Sequence, residues 1–290
     1  MDLQIFLIQV LNSIQYGLLL FLVASGLTLI FGIMGVINLA HGSFYMLGAY
    51  AAFVLSGLTG GLLWAIVLGV PLAVLFGYVL EWIFFSFLYR RDHLQQVLLT
   101  YGLILVFEEV RSLAVGDDVH GVAVPAALAS SIPLGSAMSY PVYNLVISAA
   151  CVIVAALLFV LLRRTRLGMM IRAGASNREM VRSLGIEIDF LFRVVFALGV
   201  ALAAFAGMIN APASSVYPGM GNQVLIICFV VVVIGGIGSV TGALIAALAI
   251  GFVDTFGKVF LPDYSGVLVY LLMAVVLVWR PEGLLRESSA

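Results

Sequence analysis

The feature that most constrains this chain is the repetition of long apolar runs. A helix of about 20 apolar residues spans the hydrocarbon core of a bilayer, and runs of about that length recur from end to end. They lie near Ile5–Phe31, Val36–Leu55, Leu62–Leu88, Val97–Val115, Val142–Leu162, Phe190–Asn210, Val224–Ile234, Ala243–Phe260 and Val267–Trp279. The pattern predicts an all-α, polytopic integral membrane protein with eight or nine transmembrane helices. The count turns on whether the short Val224–Ile234 run is a half-span or continues past its glycines. Composition excludes a soluble fold: 64% of the 290 residues are hydrophobic and only 9% charged, against about 25% charged in soluble domains. Water-facing surface on that scale needs polar cover that this chain lacks. Residues 1–290 read as one transmembrane domain. Met1–Gln4 lacks the basic flank of a signal peptide and the following run is too long for a signal core, which predicts a retained helix. A net charge of −1 gives no electrostatic basis for nucleic-acid binding.

The thirteen Lys and Arg residues orient the chain. Arg163, Arg164, Arg166, Arg172, Arg178, Arg182 and Arg193 cluster in one loop, Arg90 and Arg91 mark a second, and Arg280 and Arg286 mark the tail. Cytoplasmic loops are enriched in these residues, so all three regions are expected inside. Gly116–Pro141, which has no Lys or Arg, then faces outside with Ala211–Asn222 and the N-terminus, and the C-terminus is cytoplasmic.

Thirty glycines call for a reason in such a chain. Lipid gives helices little hydrophobic drive to associate, so they pack by close approach over small residues. Gly199, Ala203, Gly207 and Ala211 form one four-residue stripe, and Ala243, Ala247 and Gly251 another. Two glycine-rich breaks stand apart, Gly32–Ser43 and Gly235–Gly242, each ahead of an alanine-rich segment. Irregular backbone at membrane depth persists only where protein or a watery cavity satisfies it, and paired breaks in two halves of a transporter point to the substrate path. Asn38, His41, Gly42, Gly235, Gly236, Gly238 and Ser239 are therefore candidate path or gate residues. For Asn38 and His41 the plainer reading is interhelical hydrogen bonding.

Several patterns mislead. Val230–Ile234 followed by Gly236 and Gly238 brushes against a dinucleotide fingerprint, but the spacing is wrong and the next segment is apolar all round. Gly251–Val259 approaches a phosphate-binding loop, with one residue too many between its glycines and Val259 where a hydroxyl is required, so this chain is not expected to carry an ATPase of its own. Asp117, Asp118 and His120 read as a solvated loop rather than a metal site. Cys151 and Cys228 sit in apolar runs and read as small buried hydrophobes. Glu108 with Arg111, and Asp254 with Lys258, have the one-turn spacing of helical ion pairs. No chain of carboxylates forms a proton relay, which weakens an ion-coupled transporter, and three dispersed histidines do not assemble an enzyme site.

The loop Arg163–Arg193 is the most informative segment. Ser176–Glu179 has the form of a capping box, and Gly185 can take the left-handed conformation that ends a helix. Together they predict two helical turns carrying Met180, Val181 and Leu184 on one face, beside Arg178 and Arg182. A helix this short is marginal alone and must dock. It either lies flat on anionic lipid or sits as a coupling helix in a groove of a cytoplasmic ATPase.

Four motifs occur in one order across nearly the whole chain: Gly32–Gly42; Arg166–Gly168 with Arg172–Ala173 and Leu184–Ile186; Gly235–Ala243; and Arg280–Leu285. In these the chain resembles the permease subunits of branched-chain amino acid ABC transporters, of the type paired with a longer sister permease. The resemblance implies a bacterial or archaeal inner-membrane importer with a second permease, two cytoplasmic ATPase subunits and a soluble amino-acid-binding protein outside. It places the family's coupling segment on Arg172–Ile186, including Arg172, Ser176, Arg178, Glu179, Met180, Val181, Arg182, Leu184 and Gly185. Members of the family often carry a basic residue just before the last break and an acidic one within Ala175–Arg178; this chain has neither. Urea and short-amide permeases share the architecture.

Overall fold

The structure, a computed structural model, describes residues 3–133 and 139–285. Met1, Asp2, Arg286 and the middle of the Gly116–Pro141 loop, on which some expectations fell, lie outside the described residues. The helices are α1 (Leu3–Met34), α2 (His41–Thr59), α3 (Leu62–Ile83), α4 (His93–Val115), α5 (Val142–Arg164), α6 (Arg166–Ser176), α7 (Arg178–Ser183), α8 (Ile188–Asn210), α9 (Met220–Gly235), α10 (Val240–Phe260) and α11 (Ser265–Trp279). A 3-10 helix, Phe85–Arg90, follows α3. Two three-residue strands, β1 (Ser131–Pro133) and β2 (Ser139–Pro141), pair antiparallel with Ile132 opposite Tyr140.

The protein is all-α and built to cross a membrane. Among the described residues seven helices are long and apolar enough to do so. Two more complete the expected eight or nine: α4 has 23 residues but carries Glu108, Glu109 and Arg111, and α9 has only 16. The run predicted as Leu62–Leu88 divides, its last turns being the separate 3-10 helix.

Helix α1 is the hub. Every residue from Gly17 to Ile30 is buried, as befits a helix apolar all round, and α5, α8, α9 and α10 pack about it. Helix α8 is the second hub, against α1, α2 and α3. Small residues set these crossings. A Cβ on Gly17 would lie 2.9 Å from the Ala247 carbonyl oxygen, and one on Gly26 would lie 2.7 Å from that of Gly199. Gly207 abuts the Tyr45 carbonyl, and Gly251 that of Ser13. The stripe on α8 thus serves two neighbours, Gly199 toward α1 and Gly207 toward α2. The side chains of α3, α5 and α11 point mostly outward and are apolar, the surface that lipid solvates. Cys151 and Cys228 are free and fully buried. The apolar run of the first decoy, Val230–Ile234, is helix inside α9 rather than a strand, with Gly236 and Gly238 in the break beyond it, and Gly251–Val259 is helical inside α10.

Ionisable groups near the helix ends are paired locally. Arg111 binds Asp117 at 2.7 Å and Glu108 at 3.3 Å, donates to the Gly116 carbonyl at 2.7 Å and lies over the Tyr50 ring. The hydrogen bond from Arg111, then one from Ser112, holds the Asp117 carboxyl below the usual aspartate range. His120 stacks on Phe53 with ring centroids 4.3 Å apart, and its backbone pairs with Val216. Lys258 meets Asp254 at 2.6 Å.

Candidate functional site

The start of the first glycine break, the second break, the α6–α7 segment and the chain's last described residues lie in contact with one another. At the first break α1 stops at Met34 and Gly35 turns the chain with φ +61°. Asn38 accepts a hydrogen bond from the Ala40 amide at 3.0 Å, closing a short turn into α2. His41, the first residue of α2, reaches back to α1, its Nε2 2.9 Å from the Val23 carbonyl. Both side chains are fully buried, and each keeps one polar atom without a hydrogen-bond partner, Asn38 Nδ2 and His41 Nδ1. Gly42 abuts the Gly221 carbonyl of α9.

At the second break α9 ends on Gly235. Gly236 and Gly238 adopt positive φ, +97° and +83°, and Ser239 caps α10 by accepting from the Gly242 amide at 3.0 Å. The two breaks touch: a Cβ on Gly32 would lie 2.9 Å from Gly238 Cα. The seven candidate path or gate residues nonetheless do not form one cluster: Gly235, Gly236, Gly238 and Ser239 lie at the C-terminal end of α9, whereas His41 is tied to Val23 within α1 and Gly42 lies against the first turn of α9, and Asn38 and Ser239 make local turns.

The tail completes the second break. The last carbonyls of a helix have no partner within it, and here Leu284 and Leu285 donate their amides to Ile234 and Gly235, at 2.8 and 3.2 Å. Gly283, at φ +87°, lies against Gly236, and Arg280 donates to the Leu284 carbonyl at 3.0 Å. In the sequence, Arg280–Leu285 was legible only as a motif; its capping of α9 depends on a contact distant along the chain.

The segment expected to couple is two helices rather than one. Helix α6 begins with a Thr165 cap on the Gly168 amide, and Arg172 donates to the Leu162 carbonyl at the end of α5. The capping box is corrected: Ser176 is the last residue of α6, and Asn177 caps α7 by accepting from the Met180 amide at 3.0 Å. The first turn of α7 thus starts one residue later than a Ser176 cap would place it. Gly185 ends the turn with φ +83° as expected. The single apolar face also divides. Val181 is buried at 3% exposure, whereas Met180 and Leu184 are 62% and 71% exposed and lie one turn apart. Glu179 takes no part in the cap, and Arg182 lies 3.9 Å from Asp189. Arg178 is exposed, with its guanidinium 5.6 Å from the Phe192 ring of α8 and beside Gly35 of the first break.

Sequence reasoning missed Glu81. It is 1% exposed near the end of α3, holds the Tyr89 hydroxyl and faces Arg193 of α8 at 3.6 Å. The signal was a lone carboxylate within an apolar run, which in a membrane helix marks function by default. No nucleophile, base and acid converge in this region, and among the described residues no three His, Cys, Asp or Glu side chains come together as metal ligands. What the region presents is an exposed apolar pair, Met180 and Leu184, and one arginine, Arg178, lying between α7 and the first break.

A family model described as the branched-chain amino acid transport system permease component matches residues 9–277. The chain is 30% identical to the high-affinity branched-chain amino acid transport system permease protein BraD of Pseudomonas aeruginosa, over 98% of this chain and 97% of that one. It is 30% identical to the corresponding protein LivH of Escherichia coli, over 98% and 96%. The permease protein LivM of Escherichia coli is 26% identical over 90% of this chain but only 66% of its own length. No solved structure matches.

Proposed function

The chain belongs to the branched-chain amino acid transport system permease family, and from that premise we propose that it is the membrane-spanning subunit of an ATP-binding-cassette importer for branched-chain amino acids. It is a transport subunit and not an enzyme. ATP and Mg²⁺ are used by two cytoplasmic ATPase subunits, a second and longer permease completes the pore, and a soluble binding protein outside delivers the amino acid. The observation that carries this reading is the exposed Met180–Leu184 pair on α7. A six-residue helix cannot hold itself in water, and exposed apolar residues rimmed by arginine fit a protein groove. The likeness to both LivH and LivM, each a permease protein of such a system by name, supports a paired permease.

The arginine-rich end that carries α6 and α7 is cytoplasmic in this reading, which places the N-terminus outside and the C-terminus inside the cell inner membrane, in contact with its lipid. Displacement of α7 by the ATPases would reach the first break through Arg178, and through the Gly32–Gly238 contact the second. Asn38 Nδ2 and His41 Nδ1, the two buried polar atoms left over at the first break, are the groups best suited to a polar path. The test is amino-acid uptake into proteoliposomes holding this chain with and without the sister permease, ATPases, binding protein and ATP. Leucine uptake in the complete ATP-fuelled set alone is the expected result. ATP-driven uptake of urea or a short amide instead would replace the substrate, and uptake by this chain alone on an ion gradient would overturn the importer.

A further inference from the structure

Among the described residues Glu81 is the only acidic side chain that is fully buried. Burying an ion pair adds little net stability compared with a packed apolar pair, and an ionisable group in a membrane helix is costly, so stability does not account for it. Its Oε1 accepts from the Tyr89 hydroxyl of the 3-10 helix. Its Oε2 faces Arg193 Nε on α8 at 3.6 Å, beyond the roughly 2.7–2.9 Å of a closed charge-assisted bond. Both Oε2 and Nε are buried and without a hydrogen-bond partner. Two complementary buried groups standing apart leave desolvation uncompensated, and a slide of α3 against α8 of less than about 1 Å would close them to hydrogen-bond distance. Shifts of this size between packed helices are how small inputs become two discrete arrangements.

The same cluster is connected to α7. Phe192, the neighbour of Arg193 in the chain, packs between the Tyr89 ring, 4.8 Å away, and the Arg178 guanidinium, 5.6 Å away. Arg193 itself lies 5.9 Å from the Tyr78 ring of α3. Movement of α7 therefore bears on Phe192, and through it on both partners of Glu81. We propose that Glu81 is the positioning residue of a latch between α3 and α8, open in this conformation, closed in the opposite state of the transport cycle, and thrown from α7 through Arg178 and Phe192.

The latch rests on the importer reading above, and one experiment separates the two. ATP hydrolysis and leucine uptake are measured in the same proteoliposomes, with the complete transporter containing wild-type chain, Glu81→Gln, Arg193→Gln or both substitutions. Glutamine keeps the volume of Glu81 and an oxygen for Tyr89. The expected result is normal assembly, ATP hydrolysis close to wild type, and uptake per ATP reduced about ten-fold, within the usual range of coupling energies. The double variant should fall no further than the worse single one, because residues acting as a unit are non-additive. Unchanged uptake per ATP in Glu81→Gln, or hydrolysis and uptake falling in proportion, overturns the latch. Should glutamine at 81 prevent insertion, Arg193→Lys, which keeps the charge and loses the guanidinium fork, takes its place in the same measurement. A drop in uptake per ATP then supports the latch, and an unchanged ratio overturns it. Failure of the wild-type set to take up leucine with ATP refutes the importer itself.

Discussion

Replacing Met180 and Leu184 by aspartate tests the docking surface of α7 most directly. The two side chains are 62% and 71% exposed, and full burial of such a side chain is worth about 1.5–3 kcal/mol. Scaled by the exposed fraction, docking would recover about 1–2 kcal/mol from each and about 2–4 kcal/mol from the pair. At 1.4 kcal/mol per decade, Met180→Asp/Leu184→Asp should weaken the ATPase–permease complex by about 30-fold to about 1000-fold. Folding should hardly change, since exposed substitutions away from special features fall within about 0.5 kcal/mol. Val181 supplies the contrast. At 3% exposure a carboxylate there is buried and unpaired, so Val181→Asp should lower yield and thermal stability rather than affinity. The assay is titration of ATPase onto permease in lipid nanodiscs, with ATP-driven uptake alongside. A double variant that binds and transports like wild type would refute the assignment of α7.

Two further outcomes follow from the geometry. Gly283→Val puts a Cβ against Gly236 at φ +87°, so the tail should leave the end of α9 and hydrogen exchange at Leu284 and Leu285 should accelerate; amides as protected as in wild type would count against the strap. The Asp117 carboxyl is held below its ordinary value by Arg111, so the anchor it gives the outer loop is complete above the unfolded value of about 3.9 and fades only as pH falls through the lower folded value. A spin label at Asp118→Cys should keep the same mobility from pH 7 to pH 5 and loosen in stronger acid, whereas loosening between pH 7 and pH 5 would contradict the pairing.

The spans were legible because burial in lipid writes itself into composition: runs of about 20 apolar residues have one economical solution in a bilayer. Local punctuation was legible too. Gly185 ends α7, and the Arg111–Glu108 and Asp254–Lys258 pairs follow from helical spacing alone. Relations across the chain were not. Nothing in either glycine break announces that Gly32 meets Gly238, nor in Arg280–Leu285 that its amides serve the carbonyls of Ile234 and Gly235. The Ser176 capping box failed for a local reason. Asn177 is an equally good cap, and α6, hidden in an arginine-rich loop, had already claimed Ser176 as its last residue.

The two cysteines have a practical consequence. The chain has no others, and both Cys151 and Cys228 are sealed inside the bundle. A polar thiol reagent added from either side of the membrane therefore meets a silent background. Single reporter thiols at Met180, at Leu184 or on the outer loop can be read in the otherwise native protein, which makes the movements argued above accessible to labelling without first stripping the chain of its own sulfur.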